Sequence, residues 1–200
     1  MIGAIVLAAG ESRRMGTQKL LLPYGGKTVI AHVVDAVLAS NVERTVVVNG
    51  HDHDAVYQVL NDSPVIFARN EHYRDGMLSS VRRGIAEMGE GTTAFLVVLG
   101  DQPNTPSATI NTLLDVFAFS HECIVVPSFG GKPGHPIVVA ARFGDAILTK
   151  YDGVGLRGLL HDYSGCVVYS PVDTNAILFD MDTGADYTHA LAQLKKKTAG

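Results

Sequence analysis

The sequence predicts an α/β fold, a three-layer α/β/α sandwich around a mainly parallel sheet. Short runs rich in β-branched residues alternate with runs of helical period over roughly the first 120 residues, the order that builds a parallel sheet. The strand runs are apolar throughout instead of alternating, as strands covered on both faces are. The chain has 200 residues, 46% hydrophobic and 18% charged, with no linker, repeat or low-complexity segment. The expectation is one domain, 1–200, long enough to close its own core.

Each element has its reason. Residues 2–8 (IGAIVLA) read as a buried strand, and 28–40 (TVIAHVVDAVLAS) as a helix with Thr28 near its start. RTVVVNG (44–50), PVIFARN (64–70) and AFLVVLGD (94–101) read as further strands. DAVYQVL (54–60), LSSVRRGIAEM (78–88) and SATINTLLDVFAFS (107–120) read as the helices between and after them. After CIVVP (123–127) the rhythm changes. A turn-rich stretch ends in a strand (129–140, FGGKPGHPIVVA), then come two helical segments, a strand around CVVYSP (166–171), AILFDMDTGADY (176–187) and a last helix. Ligands of such sheets bind beyond the carboxyl ends of the strands, which directs attention to 8–19, 49–54, 70–80, 100–103 and the late loops.

Composition excludes several classes. A net charge of −4 argues against a broad nucleic-acid-binding face. No apolar run reaches the ~18–20 residues of a membrane span, and the first apolar run has no basic region before it, unlike a signal peptide. Cys123 and Cys166 lie in apolar runs and are expected to be buried free thiols, as in a reducing cytosol. The expectation is a cytoplasmic protein.

The run LAAGESRRMGTQK (7–19) follows the first strand. It is not the dinucleotide fingerprint, because Gly10 and Gly16 have no third glycine in register. Nor is it a Walker A loop, because Lys19 comes three residues after Gly16 and is followed by Leu20. What remains is a loop with backbone N–H groups at Ala8, Ala9 and Gly10 and cations at Arg13, Arg14 and Lys19. That is an anion-binding concavity with forked and point-charge partners for phosphate. A solvated loop with scattered bases is the alternative on these residues alone. Asp101 ends an otherwise apolar strand, which puts its carboxylate at the sheet edge, where it suits Mg²⁺ or a turn before Pro103. Alternation places Asp180 and Asp182 on one face, and either could instead cap the last helix. HDHD (51–54) reads as helix-capping and not as a metal site. The lysines at 195–197 read as solvated surface at a helix end.

LAAGESRRMGTQKLLLPYGGKTVI resembles the signature L-A-A-G-x-S-x-R-M-G-x-x-K-L-L of nucleotidyltransferases acting on NTPs, most closely the molybdenum cofactor cytidylyltransferases. The likeness extends along nearly the whole chain. NEHYRDGMLSSVRRGI resembles the family's base-side segment, VVLGDQP its metal-binding strand end, GGKPGHPIVV its G-x-x-G-H-P motif, and FDMDTGADY its D-x-D-T-P-E-D-Y. Two departures stand on the acceptor side: Gly184 and Ala185 replace the family's proline and glutamate, and DGVGLR keeps Gly155 and Arg157 of G-D-x-G-A-R.

The resemblance implies a nucleotide-diphospho-sugar transferase-like fold and a set of roles. Leu7, Ala8, Ala9, Gly10, Gly76, Ser79 and Ser80 would bind the nucleotide with Asp101. Lys19 and Arg13 would neutralise the β- and γ-phosphates, whereas Arg14 is expected to point away, since adjacent loop residues rarely share a target. Gly134, His135, Pro136 and Arg157 would hold the acceptor. Mg²⁺ would be held by Asp101 and by Asp182 in preference to Asp180. The substrates implied are CTP and molybdopterin cofactor, with a molybdoenzyme or its chaperone as partner. Alternatives are a related cytidylyl- or guanylyltransferase using another phosphorylated acceptor, and a non-catalytic nucleotide or cofactor carrier.

Overall fold

The structure, a computed structural model, describes residues 1–120 and 123–198, with the side chains of 195–198 outside the description. In chain order its elements begin with β1 (Ile2–Ala8), the two short strands β2 (Pro23–Tyr24) and β3 (Lys27–Thr28), α1 (Val29–Leu38), β4 (Arg44–Asn49) and α2 (His53–Leu60). They continue with β5 (Ile66–Arg69), α3 (Met77–Ala86), β6 (Ala94–Leu99), α4 (Ser107–Phe119), β7 (Ile124–Phe129), β8 (Lys132–Pro133) and β9 (Ile137–Ala140). The last are α5 (Gly144–Thr149), α6 (Leu156–Asp162), β10 (Val167–Pro171) and α7 (Gly184–Thr198).

β1 is apolar along its length because both its faces are covered. Ile5 packs with Val46, Val48, Ala68 and Phe95 on one side, and Ala4, Val6 and Ala8 join the larger core on the other. It pairs in parallel with β4 and β6, and β4 in turn with β5. The sheet runs β10-β7-β9-β6-β1-β4-β5, with β8 folded back on β7. β10 and β7 are parallel, whereas β9 is antiparallel to both β6 and β7. The sheet is thus mainly parallel, with a reversal that the sequence reading did not contain. α3 lies so close on the Ile5 face that a Cβ on Gly84 would sit 2.4 Å from the Ile5 side chain. α1, α2 and α4 cover the other face through Val33, Val37, Val56, Leu60, Leu113 and Phe117. Each such fully buried side chain contributes about 1.5–3 kcal/mol.

Three expectations need correction. Asp52 occupies the cap position of α2 but in left-handed backbone (φ 52°), and its side chain makes no capping bond. The HDHD run therefore does not cap the helix as expected. Cys123 and Cys166 are free, as expected, but only half-buried. The short hairpin β2–β3 interrupts the segment before α1, where no strand was assigned. Thr28 does cap α1, accepting the Ala31 N–H at 3.3 Å. No helix among the described residues is long and apolar enough to cross a membrane. The lysine side chains at 195–197 lie outside the described residues.

Candidate active site

Two of the cavities among the described residues open beyond the carboxyl ends of the parallel strands. One, of about 380 Å³, is lined by Gly10, Ser12, Arg13, Arg14, Lys19 and Arg74 among others. The second, of about 660 Å³, is lined by Gly76, Leu99, His135, Val154, Arg157 and Asp180 among others. Asp182 lines the first cavity and Asp180 the second, on either side of the fully buried Met181.

The loop after β1 is shaped by two residues that the sequence reading passed over. Ser12, at φ 52°, accepts the Lys19 N–H at 3.1 Å and donates to Gln18 Oε1 at 2.8 Å. Gln18 in turn donates to the Gly10 carbonyl at 3.2 Å and to Asp52 Oδ2 at 3.1 Å. The loop is closed on itself and tied to α2, which gives the HDHD segment its role. Short polar residues inside a glycine-bounded loop were the available signal. β6 approaches this loop closely. The Gly100 N–H donates to Leu7 O at 3.0 Å, and a Cβ on Gly100 would lie 2.6 Å from that oxygen. Asp101 is thereby delivered beside Lys19.

Lys19 Nζ donates to Asp101 Oδ2 at 2.5 Å and to Asp182 Oδ1 at 2.9 Å. The Lys19 and Asp101 side chains are only 16% and 15% exposed. Burial pulls the Lys19 ammonium down, but Asp101 and Asp182 outweigh it and hold the group above its ordinary value. Burial pushes the Asp101 carboxyl up, against the pull of Lys19. Two carboxylates converging on one cationic point form a donor set that suits Mg²⁺ or Mn²⁺, with the ammonium standing in for the ion.

Asp182 is left unspent by the helix it precedes. Thr183 and Asp186 form the cap of α7: Asp186 Oδ2 accepts the Thr183 N–H at 2.8 Å, and Thr183 Oγ1 accepts the Asp186 N–H at 3.3 Å. The Thr183 hydroxyl and N–H lower the Asp186 carboxyl below its usual value. The Asp182 carboxylate instead meets Lys19 and, at 2.9 Å, Arg14 Nη1. The expectation that Arg14 points away is therefore corrected. Arg13 turns to Glu11, whose other oxygen accepts Arg74 Nε at 2.8 Å. Hydrogen bonds from Arg13 and then Arg74 lower the Glu11 carboxyl to about 2.

At the carboxyl end of β5, Asn70 is buried and donates to Ser79 Oγ at 2.9 Å and Ser80 Oγ at 3.0 Å, while its Oδ1 accepts the His72 N–H at 2.9 Å. Neither serine caps α3. The cap position belongs to Gly76 at φ 99°, ψ 175°, a region essentially closed to other residues. Ala8 and Ala9 are buried, and Gly10 is exposed. At the second cavity, a Cβ on Gly134 would lie 2.2 Å from Ile177 O, the carbonyl that accepts the His135 N–H at 3.0 Å. The His135–Pro136 bond is cis. Burial lowers the His135 imidazole below its ordinary value, and its Nδ1 has no partner among the described residues. Gln102, which the sequence reading also missed, donates to Asp180 Oδ1 at 2.7 Å and to Ile177 O at 3.3 Å, holding the two motifs together. Arg157 stands exposed at the second cavity with no side-chain partner among the described residues.

A mainly parallel sheet with a cation-lined cavity over the end of its first strand, and a lysine set between two carboxylates beside it, is built for reactions of nucleoside triphosphates. This is the architecture of a nucleotidyltransferase. Residues 4–167 match the MobA-like NTP transferase domain, and the chain belongs to that family. Over 193 residues it is 27% identical to the molybdenum cofactor cytidylyltransferase of Escherichia coli K12, covering 94% of this chain and 95% of that one. It is 35% identical over 114 residues to the bifunctional protein GlmU of Staphylococcus saprophyticus, covering 56% of this chain and 25% of that one. The chain thus spans about a quarter to a third of the length of the GlmU relatives it matches. The crystal structure of Rv0371c from Mycobacterium tuberculosis is similar with a TM-score of 0.86 and 28% identity, covering 96% of this chain and 97% of that one. Rv0371c in complex with manganese gives 0.82 and 26%, covering 96% and 98%.

Proposed function

We propose that the chain, as a single domain over 1–200, transfers CMP from CTP to the terminal phosphate of molybdopterin cofactor and releases pyrophosphate. The acceptor phosphate oxygen attacks the α-phosphorus in line. A new P–O bond forms there, the bond to the bridging α–β oxygen breaks, and the electron pair leaves with pyrophosphate. Because an anion must meet an anion, catalysis consists of positioning and charge neutralisation. The carrying observation is the convergence of Asp101 and Asp182 on Lys19 at the first cavity.

In this reading Leu7, Ala8, Ala9, Gly10, Gly76, Ser79 and Ser80 hold the nucleotide. Arg13 and Lys19 neutralise the β- and γ-phosphates. Gly134, His135, Pro136 and the exposed Arg157 receive the acceptor. Asp101 and Asp182 would hold Mg²⁺, with Asp180 as the further candidate, and the ion would supply charge neutralisation to the phosphates when bound. The manganese complex of Rv0371c supports a divalent metal. The E. coli cytidylyltransferase, aligned over almost the whole of both chains, supports the acceptor. The same reading puts the reaction in the cytoplasm, with a molybdoenzyme or its chaperone as recipient of the product. A panel of the four NTPs against molybdopterin and several sugar and alcohol phosphates tests it by pyrophosphate release. Release with a sugar phosphate and not with molybdopterin would favour the second reading, that of a transferase for another phosphorylated acceptor. A non-catalytic carrier would release none.

A further inference from the structure

Arg74 enters the first cavity from a different part of the chain, the turn Tyr73–Asp75 after β5. Its Nε donates to Glu11 Oε1 at 2.8 Å, and Arg13 Nε donates to Oε2 of the same carboxylate. A carboxylate in a cavity for polyphosphate repels the ligand, so the presence of Glu11 needs an explanation. Its side chain is 14% exposed, whereas those of Arg13 and Arg74 are 76% and 70% exposed. The carboxylate is set back in the wall and the two guanidinium groups stand forward of it. Glu11 takes only the Nε–H of each, so the terminal nitrogens, which make forked contacts to phosphate, are not spent on it. The ring of Tyr73 supports Arg74 from below, with Cζ 5.5 Å from the centroid. Arg74 lines the first cavity and not the second. The α-phosphate must face the acceptor, so a group confined to the first cavity meets the departing end of the nucleotide.

We propose that Arg74 is a second arginine ligand of the β- and γ-phosphates, and that Glu11 is the positioning residue that aims Arg74 and Arg13 at them. The proposal rests on the nucleotidyltransferase reading. Titration calorimetry with pyrophosphate plus Mg²⁺, CTP and CMP as probes tests it on wild type, Arg74→Ala and Glu11→Gln. Arg74→Ala should weaken pyrophosphate and CTP roughly tenfold, the scale of one hydrogen bond to a charged group, and leave CMP within about twofold. Glu11→Gln should weaken the same two probes by roughly threefold, because two exposed arginines lose their shared anchor. A structural defect would weaken CMP as well. Should Arg74→Ala not fold, Arg74→Gln removes the charge, keeps the stem, and is read the same way. Unchanged pyrophosphate and CTP affinity in the arginine variant overturns the proposal, as does tighter pyrophosphate binding by Glu11→Gln, which would make Glu11 a competitor. A wild type that binds neither pyrophosphate nor any NTP would instead overturn the reading on which the proposal stands.

Discussion

Lys19 holds together two carboxylates that would otherwise repel each other, and its removal has two separable consequences. An exposed loop lysine would leave folding unchanged, but a lysine hydrogen-bonded to Asp101 and Asp182 does not. Lys19→Ala should destabilise the metal-free protein by about 1–3 kcal/mol, and added Mn²⁺ should restore much of that in a melting experiment. Turnover should still fall by about 10²–10³, the typical loss for one charge-stabilising donor. A metal-free melting point equal to wild type would contradict the geometry. Glu11 gives a second prediction. Its folded-state value of about 2 lies below the ordinary glutamate value of 4.5. Its contribution to stability is therefore present above about 4.5 and is lost as pH falls toward 2. A carboxyl-carbon NMR titration should place the Glu11 midpoint near 2, and a midpoint at 4 or above would show that the two arginines do not hold it. Ala9 gives a third. Its methyl is buried beside Gly50 and Tyr73, since a Cβ on Gly50 would lie 3.0 Å from it. If the methyl narrows the base wall, rejecting a purine by overlap costs about 1–3 kcal/mol. CTP should then exceed GTP by at least about tenfold in catalytic efficiency, with a partial shift toward GTP in Ala9→Gly. Equal use of both by wild type would remove the steric argument.

α7 shows how an element prepares a residue that it does not contain. The Thr183–Asp186 cap also takes the Asp182 N–H, at 3.2 Å, and so fixes the backbone from which the Asp182 carboxylate reaches Lys19. Thr183→Ala should cost about 1 kcal/mol, a fall of roughly 2–4 °C in Tm, and should weaken metal binding along with stability. Gly184→Ala, where a Cβ meets nothing within 4 Å, should stabilise by about 0.4–1 kcal/mol. A Tm lower than wild type in that variant would show that the first turn of α7 needs glycine. The elements were largely legible because their cause is local: uniform apolarity marks covered strands, and helical period marks the layers between them. The direction of β9 was not, because an apolar strand looks the same read up or down. Ser12, Gln18 and Gln102 were missed because their work is hydrogen bonding to partners chosen by the fold. Arg14 was misjudged because adjacency in a loop does not decide reach. The partner of Arg14 arrives from the far end of the chain, as does that of Lys19, whose bond to Asp182 joins residues 163 apart in sequence.

Across the whole molecule, the sheet edge gathers cations from the β1 loop, a carboxylate from the end of β6 and another from the approach to α7. In the proposed reaction transfer takes place at the α-phosphorus, with the acceptor in the second cavity and pyrophosphate leaving through the first. The most direct test is to follow isotopic label from CTP in the presence of molybdopterin cofactor and Mg²⁺. Label at the α-phosphate should appear on the acceptor and label at the γ-phosphate in free pyrophosphate, with both signals abolished in Asp101→Asn. Label from the γ-phosphate on the acceptor, or no transfer of either label from any of the four NTPs, would contradict nucleotidyl transfer at this site.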